Sequence, residues 1–155
     1  MKAIRPRIRL ASVVSAIVLF LQISPALAED TFHGRVEVIF LKWVVGPGPQ
    51  MAGVVSGDVG GGTFAGDILS ASQQGNILTL DALYHINGGA HQFTAHNHIK
   101  QDNSTGIAVI SGVVTDGPLQ GARVQGEYQV IHPCGISNAE ASGDFCFQGT
   151  LSIRH

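Results

Sequence analysis

NILTLDALYHINGGAHQFTAHNHIKQ, residues 76–101, decides the fold. In an extended strand successive side chains point to opposite faces, so the first half of this stretch carries an apolar face. Asn87-Gly88-Gly89 follows, and these residue types tolerate the positive φ of a tight turn. Residues 90–101 then return beside the first half, which predicts a β-hairpin. The apolar face of its first strand consists of Leu78, Leu80, Ala82, Tyr84 and Ile86.

Six further runs rich in β-branched and aromatic residues follow the same pattern, separated by clusters of Gly, Asn, Asp and Pro. No long window shows apolar residues recurring every three or four positions, as an amphipathic helix would. Together with the hairpin these runs predict eight strands, over 34–45, 51–58, 62–73, 76–87, 90–101, 107–115, 122–131 and 145–153.

Short connections between these strands favour antiparallel neighbours. Eight consecutive antiparallel strands either close into a barrel or stack as two sheets, and closure removes exposed edges. The predicted fold is all-β, an eight-stranded antiparallel up-and-down β-barrel, with a β-sandwich or a cupin-like jelly roll as the alternative. Glycines within the strands suit the bends and bulges of a tight barrel: Gly53, Gly57, Gly66, Gly112 and Gly126.

Residues 1–28 have the composition of a Sec-type signal peptide. A basic start with Lys2 and three arginines is followed by the apolar stretch ASVVSAIVLFLQI and then by Ala26-Leu27-Ala28, a cleavage-site pattern. The apolar run is too short to favour a membrane anchor. We expect cleavage after Ala28, bacterial export to the periplasm or the medium, and a single β-barrel domain over 29–155.

The charge of residues 29–155 argues against two classes of partner. This part holds five basic residues against eleven acidic ones, a formal charge of −6 with the histidines neutral. Binding to nucleic acid or to an anionic membrane needs basic patches, so we expect neither.

The two cysteines, Cys134 and Cys146, flank the loop GISNAEASGDF. In an exported protein such a pair predicts a disulfide, here joining the ends of the last two strands. The spacing lacks the CxxC pattern typical of a metal site or a redox pair.

ISGVVTDGPLQGARVQGEY, residues 110–128, resembles the strand, glycine turn and strand unit of the allene-oxide-cyclase-barrel group, which includes dirigent-like proteins. VSGDVGGGTFAGDIL, residues 55–69, adds a looser similarity. The resemblance implies a small β-barrel that holds a hydrophobic molecule, and in some members guides cyclisation or radical coupling. It matches no catalytic motif, so it assigns no functional residue. The residues that carry the resemblance are Gly112, Gly117, Gly121, Ala122 and Gly126.

The cluster HQFTAHNH, residues 91–98, contains one pair of histidines that share a face of a strand, His96 and His98. Such a pair can present two imidazoles to one divalent transition metal. The pair resembles the first motif of the cupin family, although the preceding glycine is one position away and Asp102 replaces the usual glutamate. Asn138 stands where the second cupin motif has its third histidine.

The length of the hairpin turn decides which face this pair occupies, because one residue of register exchanges the two faces. A two-residue turn places Phe93 in the core and His96 and His98 in solvent, whereas a three-residue turn brings the histidines inside. Two-residue turns are commoner, so we favour a polar outer face. A metal site and a buried acid or base at His96 remain the alternatives.

Four aromatic residues are candidates for an inner binding surface: Tyr84, Phe93, Trp43 and Tyr128. Trp43 follows Ile39 and Leu41 at period two and is interpreted as core or as a ligand-stacking wall. Glu127 falls on the face opposite Tyr128 and faces solvent, unless a bulge at Gly126 turns it inward to act as an acid.

We therefore expect an exported β-barrel without a cofactor that binds a small apolar molecule. The first alternative is an enzyme, either metal-dependent and cupin-like or a cofactor-free cyclase. The second is a structural protein of the cell envelope with a filled barrel. The sequence contains no nucleophile elbow, phosphate loop or HExxH motif.

Overall fold

The computed structural model describes residues 34–135 and 144–155 of the 155-residue chain. These residues form eight strands: β1 (Arg35–Val45), β2 (Gln50–Gly57), β3 (Gly62–Gln74), β4 (Ile77–Gly88), β5 (Gln92–Asp102), β6 (Ile107–Asp116), β7 (Arg123–Ile131) and β8 (Cys146–Arg154). The expected signal peptide, residues 1–28, lies outside the described residues. So do most residues of the cysteine loop, including Asn138.

The strands close into an up-and-down barrel. Each strand pairs antiparallel with the next in sequence, and β8 pairs antiparallel with β1. The predicted eight-stranded barrel is confirmed, and the β-sandwich and jelly-roll alternatives are wrong because no strand leaves the single closed sheet. Within 34–135 and 144–155 there is no helix long and apolar enough to cross a membrane.

The β4–β5 turn has two residues, as predicted, but they are not the two residues that were predicted. Even-numbered residues of β4 pair with odd-numbered residues of β5, which places Phe93 inside. The backbone N–H of Gly88 donates to the carbonyl of His91 at 3.1 Å, so the two-residue loop consists of residues 89–90. Residues 87–89 have no positive φ, and the prediction of a turn built on them is wrong.

The β2–β3 loop explains this difference. The carbonyl of Val59 accepts a hydrogen bond from the N–H of Ala90 at 2.8 Å. A Cβ on Gly88 would lie 2.3 Å from the same oxygen, so only glycine fits there and β4 extends by one residue. Val59 is fully buried, and so is Leu119 in the β6–β7 loop at the same end of the barrel. These two side chains fill the interior at that end, where a cleft of about 360 Å³ lined by Phe93 and Pro118 also lies.

In β1 the even-numbered residues face the interior. Phe40 and Lys42 are 1% and 2% exposed, whereas Ile39 is 42% exposed. The predicted inner face of Ile39, Leu41 and Trp43 is therefore wrong. Trp43 is buried, but it lies outside the hydrophobic cluster that fills the barrel.

Inner glycines make room for large inner side chains. Gly149 pairs with Phe40 on one side and with Tyr128 on the other. A Cβ on Gly149 would lie 2.8 Å from the Phe40 ring and 2.7 Å from Cβ of Tyr128. The two register shifts of the barrel lie elsewhere, at 68/70 in β3 and at 94/95 in β5, so the predicted bulges at strand glycines are wrong.

The predicted disulfide is present between Cys134 and Cys146. Cys146 begins β8, and the backbone N–H of Cys134 donates to the carbonyl of Asp144 at 3.1 Å. The bond therefore ties the end of the β7–β8 hairpin as expected. A disulfide is compatible with a location outside the cytoplasm.

Candidate functional site

The centre of the barrel holds a lysine, which is the residue type least expected there. Lys42 is 2% exposed and projects from β1 among the side chains of five aromatic residues. Its Nζ lies 4.2 Å from the ring centroid of Tyr84 and 4.7 Å from that of Tyr128. The other three ring centroids lie 5.4 to 5.7 Å away, in Phe40, Phe64 and Phe147. We call Lys42 and these five rings the lysine cage.

The nearest polar group to the Lys42 amine is a phenol. Lys42 Nζ forms a hydrogen bond with the hydroxyl of Tyr84. No ion pair among the described residues involves Lys42. Burial without a carboxylate disfavours the ammonium form and lowers the pKa of Lys42 from 10.5 to about 7. About half of the amines are therefore neutral at pH 7, and a neutral amine is a nucleophile and a base.

The two tyrosines of the cage are proton donors. Burial, followed by the proximity of Tyr128, raises the pKa of Tyr84 well above its ordinary value. Burial likewise raises the pKa of Tyr128. Both phenols are protonated at neutral pH, so each can donate a hydrogen bond. The Tyr128 hydroxyl donates to Oε1 of Gln101 at 2.7 Å, which leaves the Tyr84 hydroxyl as the partner of Lys42.

A second buried polar side chain lies on β5. Asn97 is fully buried, and its Nδ2 donates to the carbonyl of Ala95 at 3.2 Å. Its Oδ1 has no hydrogen-bond partner in the described part of the chain. An unpaired buried acceptor costs about 1–3 kcal/mol, so this amide is another feature that a purely apolar filling would not contain.

The end of the barrel opposite Val59 has an open cleft. It has a volume of about 680 Å³ and lies where β2 begins, beside the β1–β2 turn. Two of its lining residues, Met51 and Gly66, belong to the inner wall. Gly66 pairs directly with Tyr84, the residue whose hydroxyl bonds Lys42.

The predicted binding residues fall in different places. Tyr84 and Tyr128 are buried in the lysine cage, and both were predicted to face inward. Phe93 is also buried in the interior, but it lies beside the β4–β5 turn, at the end of the barrel that contains Val59. Trp43 is buried, as its interpretation as core requires, but it lies outside the interior cluster, and the ligand-stacking wall stays a prediction for this residue.

The predicted His-x-His pair lies on the outer surface. His96 and His98 are both exposed, as the two-residue turn predicted. The Nδ1 of His98 lies 3.1 Å from Oδ1 of Asp81, and Ser70 Oγ donates to the other carboxylate oxygen at 2.9 Å. These two hydrogen bonds hold the pKa of Asp81 below its ordinary value.

The alternatives proposed for this pair find no inner site. His96 does not line the interior, so the expectation of a buried acid or base at this residue is wrong. Within 34–135 and 144–155, no group of three or more His, Cys, Asp or Glu side chains is arranged to hold a metal ion.

Glu127 is exposed on the outer face of β7. The pairing of β7 with β6 and with β8 has no register shift at Gly126, so the alternative of an inward carboxylate is wrong. Glu127 lines a shallow outer groove of about 270 Å³ instead.

No protein-family model matches this chain, and neither the curated proteins nor the solved structures gave a match. The likeness to the allene-oxide-cyclase-barrel group therefore stays a prediction.

Proposed function

We propose that this protein is an exported β-barrel that binds a small, largely apolar molecule beside the lysine cage. The observation that carries the proposal is the burial of Lys42 among five rings without a carboxylate partner. The rings offer apolar contact area. The amine and the Tyr84 hydroxyl offer one polar anchor, which is the usual composition of a small-molecule site.

Energetics favour this proposal over a barrel with a purely structural interior. A buried amine without a counter-charge destabilises the folded chain, whereas methionine or leucine at position 42 would stabilise it by apolar burial. The partnerless Oδ1 of Asn97 adds a second cost of the same kind. Destabilising polar groups of this sort are concentrated at functional sites.

The direction of access follows from the two ends of the barrel. Val59 and Leu119 fill the interior at one end, where the cleft beside Phe93 is the smaller one, about 360 Å³. We propose that the ligand reaches the cage from the other end, past Met51 and Gly66, which line both the cleft and the inner wall. Methionine is flexible enough to move aside for an incoming molecule.

The decisive experiment is a fluorescence titration of the purified protein with the apolar probe N-phenyl-1-naphthylamine. We expect saturable binding of one probe per chain. Gly66→Val should weaken binding at least tenfold, because a side chain there meets Met51 Cε at 2.9 Å and the Phe64 ring at 3.1 Å. Gly61→Val is the matched control, since nothing lies within 4 Å of a Cβ at that position.

Absence of saturable binding would contradict the proposal, and so would equal affinities of wild type and a natively folded Gly66→Val variant. If Gly66→Val does not fold, Gly66→Ala takes its place, because its methyl group meets the same Met51 Cε and Phe64 ring with fewer added atoms. Export is tested separately by the intact mass of the protein from its host, which should begin at Glu29.

A further inference from the structure

We infer that Lys42 captures a carbonyl compound, an apolar aldehyde or ketone, as a covalent imine inside the barrel. This inference rests on the proposed function, since the compound must first bind beside the lysine cage. It adds the chemical class of the ligand and the atom to which it becomes attached.

The surroundings of Lys42 Nζ suit a neutral amine that acts as a nucleophile better than an ammonium group that binds an anion. The groups facing it are the ring of Phe40 on its own strand, the rings of Phe64 and Phe147, and two tyrosines. None of these residues carries a charge at neutral pH, and both tyrosine pKa values are raised. The cage therefore offers the amine no charged partner, although its ring faces attract the ammonium form, and a carbonyl compound is a neutral, polarised ligand that needs no counter-charge.

Tyr84 is placed to manage the proton transfers. Its hydroxyl is hydrogen-bonded to Nζ, so an oxygen atom attached to the same carbon as Nζ would lie within reach of the phenol. The hydroxyl of the other cage tyrosine, Tyr128, donates a hydrogen bond to Oε1 of Gln101 at 2.7 Å. This pair stays separate from the amine.

The reaction balances without an added oxidant or reductant. The lone pair of neutral Nζ attacks the carbonyl carbon and forms the C–N bond, while the π electron pair of C=O moves onto oxygen. Tyr84 donates a proton to this oxygen and regains one from the nitrogen, which gives a neutral carbinolamine. Loss of the hydroxyl group together with the remaining proton of nitrogen releases water and leaves the C=N double bond.

The chain offers an internal control for this chemistry. Lysine occurs at positions 2, 42 and 100 alone. Lys100 is exposed on the outer face of β5, where access is unrestricted. Burial lowers the pKa of Lys42 to about 7 and so supplies neutral amine at pH 7. The cage therefore predicts that the buried lysine reacts in preference to the exposed one.

The test uses two probes of matched shape, 2-naphthaldehyde and 2-naphthalenemethanol, with the purified protein at pH 7 and sodium cyanoborohydride to trap imines. Intact mass and peptide mapping locate the adduct. We expect one adduct per chain on Lys42, formed at least tenfold faster than on Lys100. Lys42→Met should abolish it and Lys100→Met should retain it. Tyr84→Phe should slow it at least tenfold.

Two outcomes separate this inference from the proposed function. If both naphthalene compounds displace N-phenyl-1-naphthylamine but no adduct forms on Lys42, or adducts form only on Lys100 or the N-terminus, the imine is overturned and the binding barrel stands. If neither compound displaces the probe and no adduct forms on Lys42, the proposed function fails, and the imine fails with it.

Discussion

Replacing Lys42 by methionine should make the protein more stable at neutral pH and remove most of the pH dependence of its stability between about pH 7 and 10. Methionine has a similar length and buries without a charge. The pKa of Lys42 falls from 10.5 to about 7 on folding. Because each pKa unit corresponds to about 1.4 kcal/mol, protonation of the buried amine destabilises the fold by about 5 kcal/mol at low pH.

The sign of the pH dependence follows from proton uptake. Between pH 7 and 10.5 the unfolded chain binds a proton on Lys42 that the folded chain does not. The free energy of unfolding of the wild type therefore rises by about 1.4 kcal/mol per pH unit in this window and levels off below it. Above about pH 10 the raised pKa values of Tyr84 and Tyr128 reverse the trend, since the unfolded chain loses those protons first.

The substitution also leaves the Tyr84 hydroxyl without its partner, which costs about 1–3 kcal/mol. At pH 7, where the difference in proton binding amounts to about 4 kcal/mol, Lys42→Met should therefore gain about 1–3 kcal/mol over the wild type, and the gain should vanish near pH 9. Urea denaturation between pH 6 and 9.5 measures both values, with Lys100→Met as the control for a change of charge at the surface. A stability difference that stays constant from pH 7 to 9.5 would refute the reasoning.

Three further predictions concern the barrel wall and its surface. Gly149→Ala should lower the free energy of unfolding by about 1–3 kcal/mol in urea denaturation, because its methyl group meets the Phe40 ring at 2.8 Å and the Glu127 carbonyl at 2.1 Å. Opening the Cys134–Cys146 bond, by reduction or by a double serine variant, should cost about 3 kcal/mol for a loop of this length. His98→Ala should change the melting temperature little, since an exposed ion pair contributes about 0–1 kcal/mol, and should leave the metal content of the purified protein unchanged.

Each of these predictions has an outcome that would contradict it. A Gly149→Ala variant as stable as wild type would show that the inner wall is not tightly packed at that point. An unchanged melting temperature after reduction would mean that the β7–β8 hairpin does not need its covalent tie. A loss of bound metal in His98→Ala would restore the outer histidine pair as a metal site.

The β4 and β5 strands show what period-two patterning could predict. β4 has one clearly apolar face, and the large apolar side chains of β5, Phe93 and Ile99, share one face, which separates the two possible registers of β5. The pairing of even-numbered residues of β4 with odd-numbered residues of β5 was therefore predictable. The turn residues were not, because the position of Gly88 depends on Val59 in a loop distant in sequence.

β1 shows the limit of the same approach. Its apolar residues occupy both faces, since Val36, Val38 and Phe40 alternate with Ile39 and Leu41. Sequence reasoning followed the aromatic Trp43 and missed Lys42. The signal that could have located Lys42 lies at the start of the strand, where Arg35 and Glu37 mark the odd face as exposed and thus the even face as inner.

The central claim is that a lysine amine with a lowered pKa lies inside the barrel, and nuclear magnetic resonance of lysine labelled with carbon-13 at Cε tests it directly. With so few lysines in the chain, the Lys42 signal is identified by its loss in Lys42→Met. The structure predicts that the Lys42 Cε shift titrates with a midpoint at about pH 7. A midpoint near pH 10.5, the ordinary value for lysine, would contradict the account.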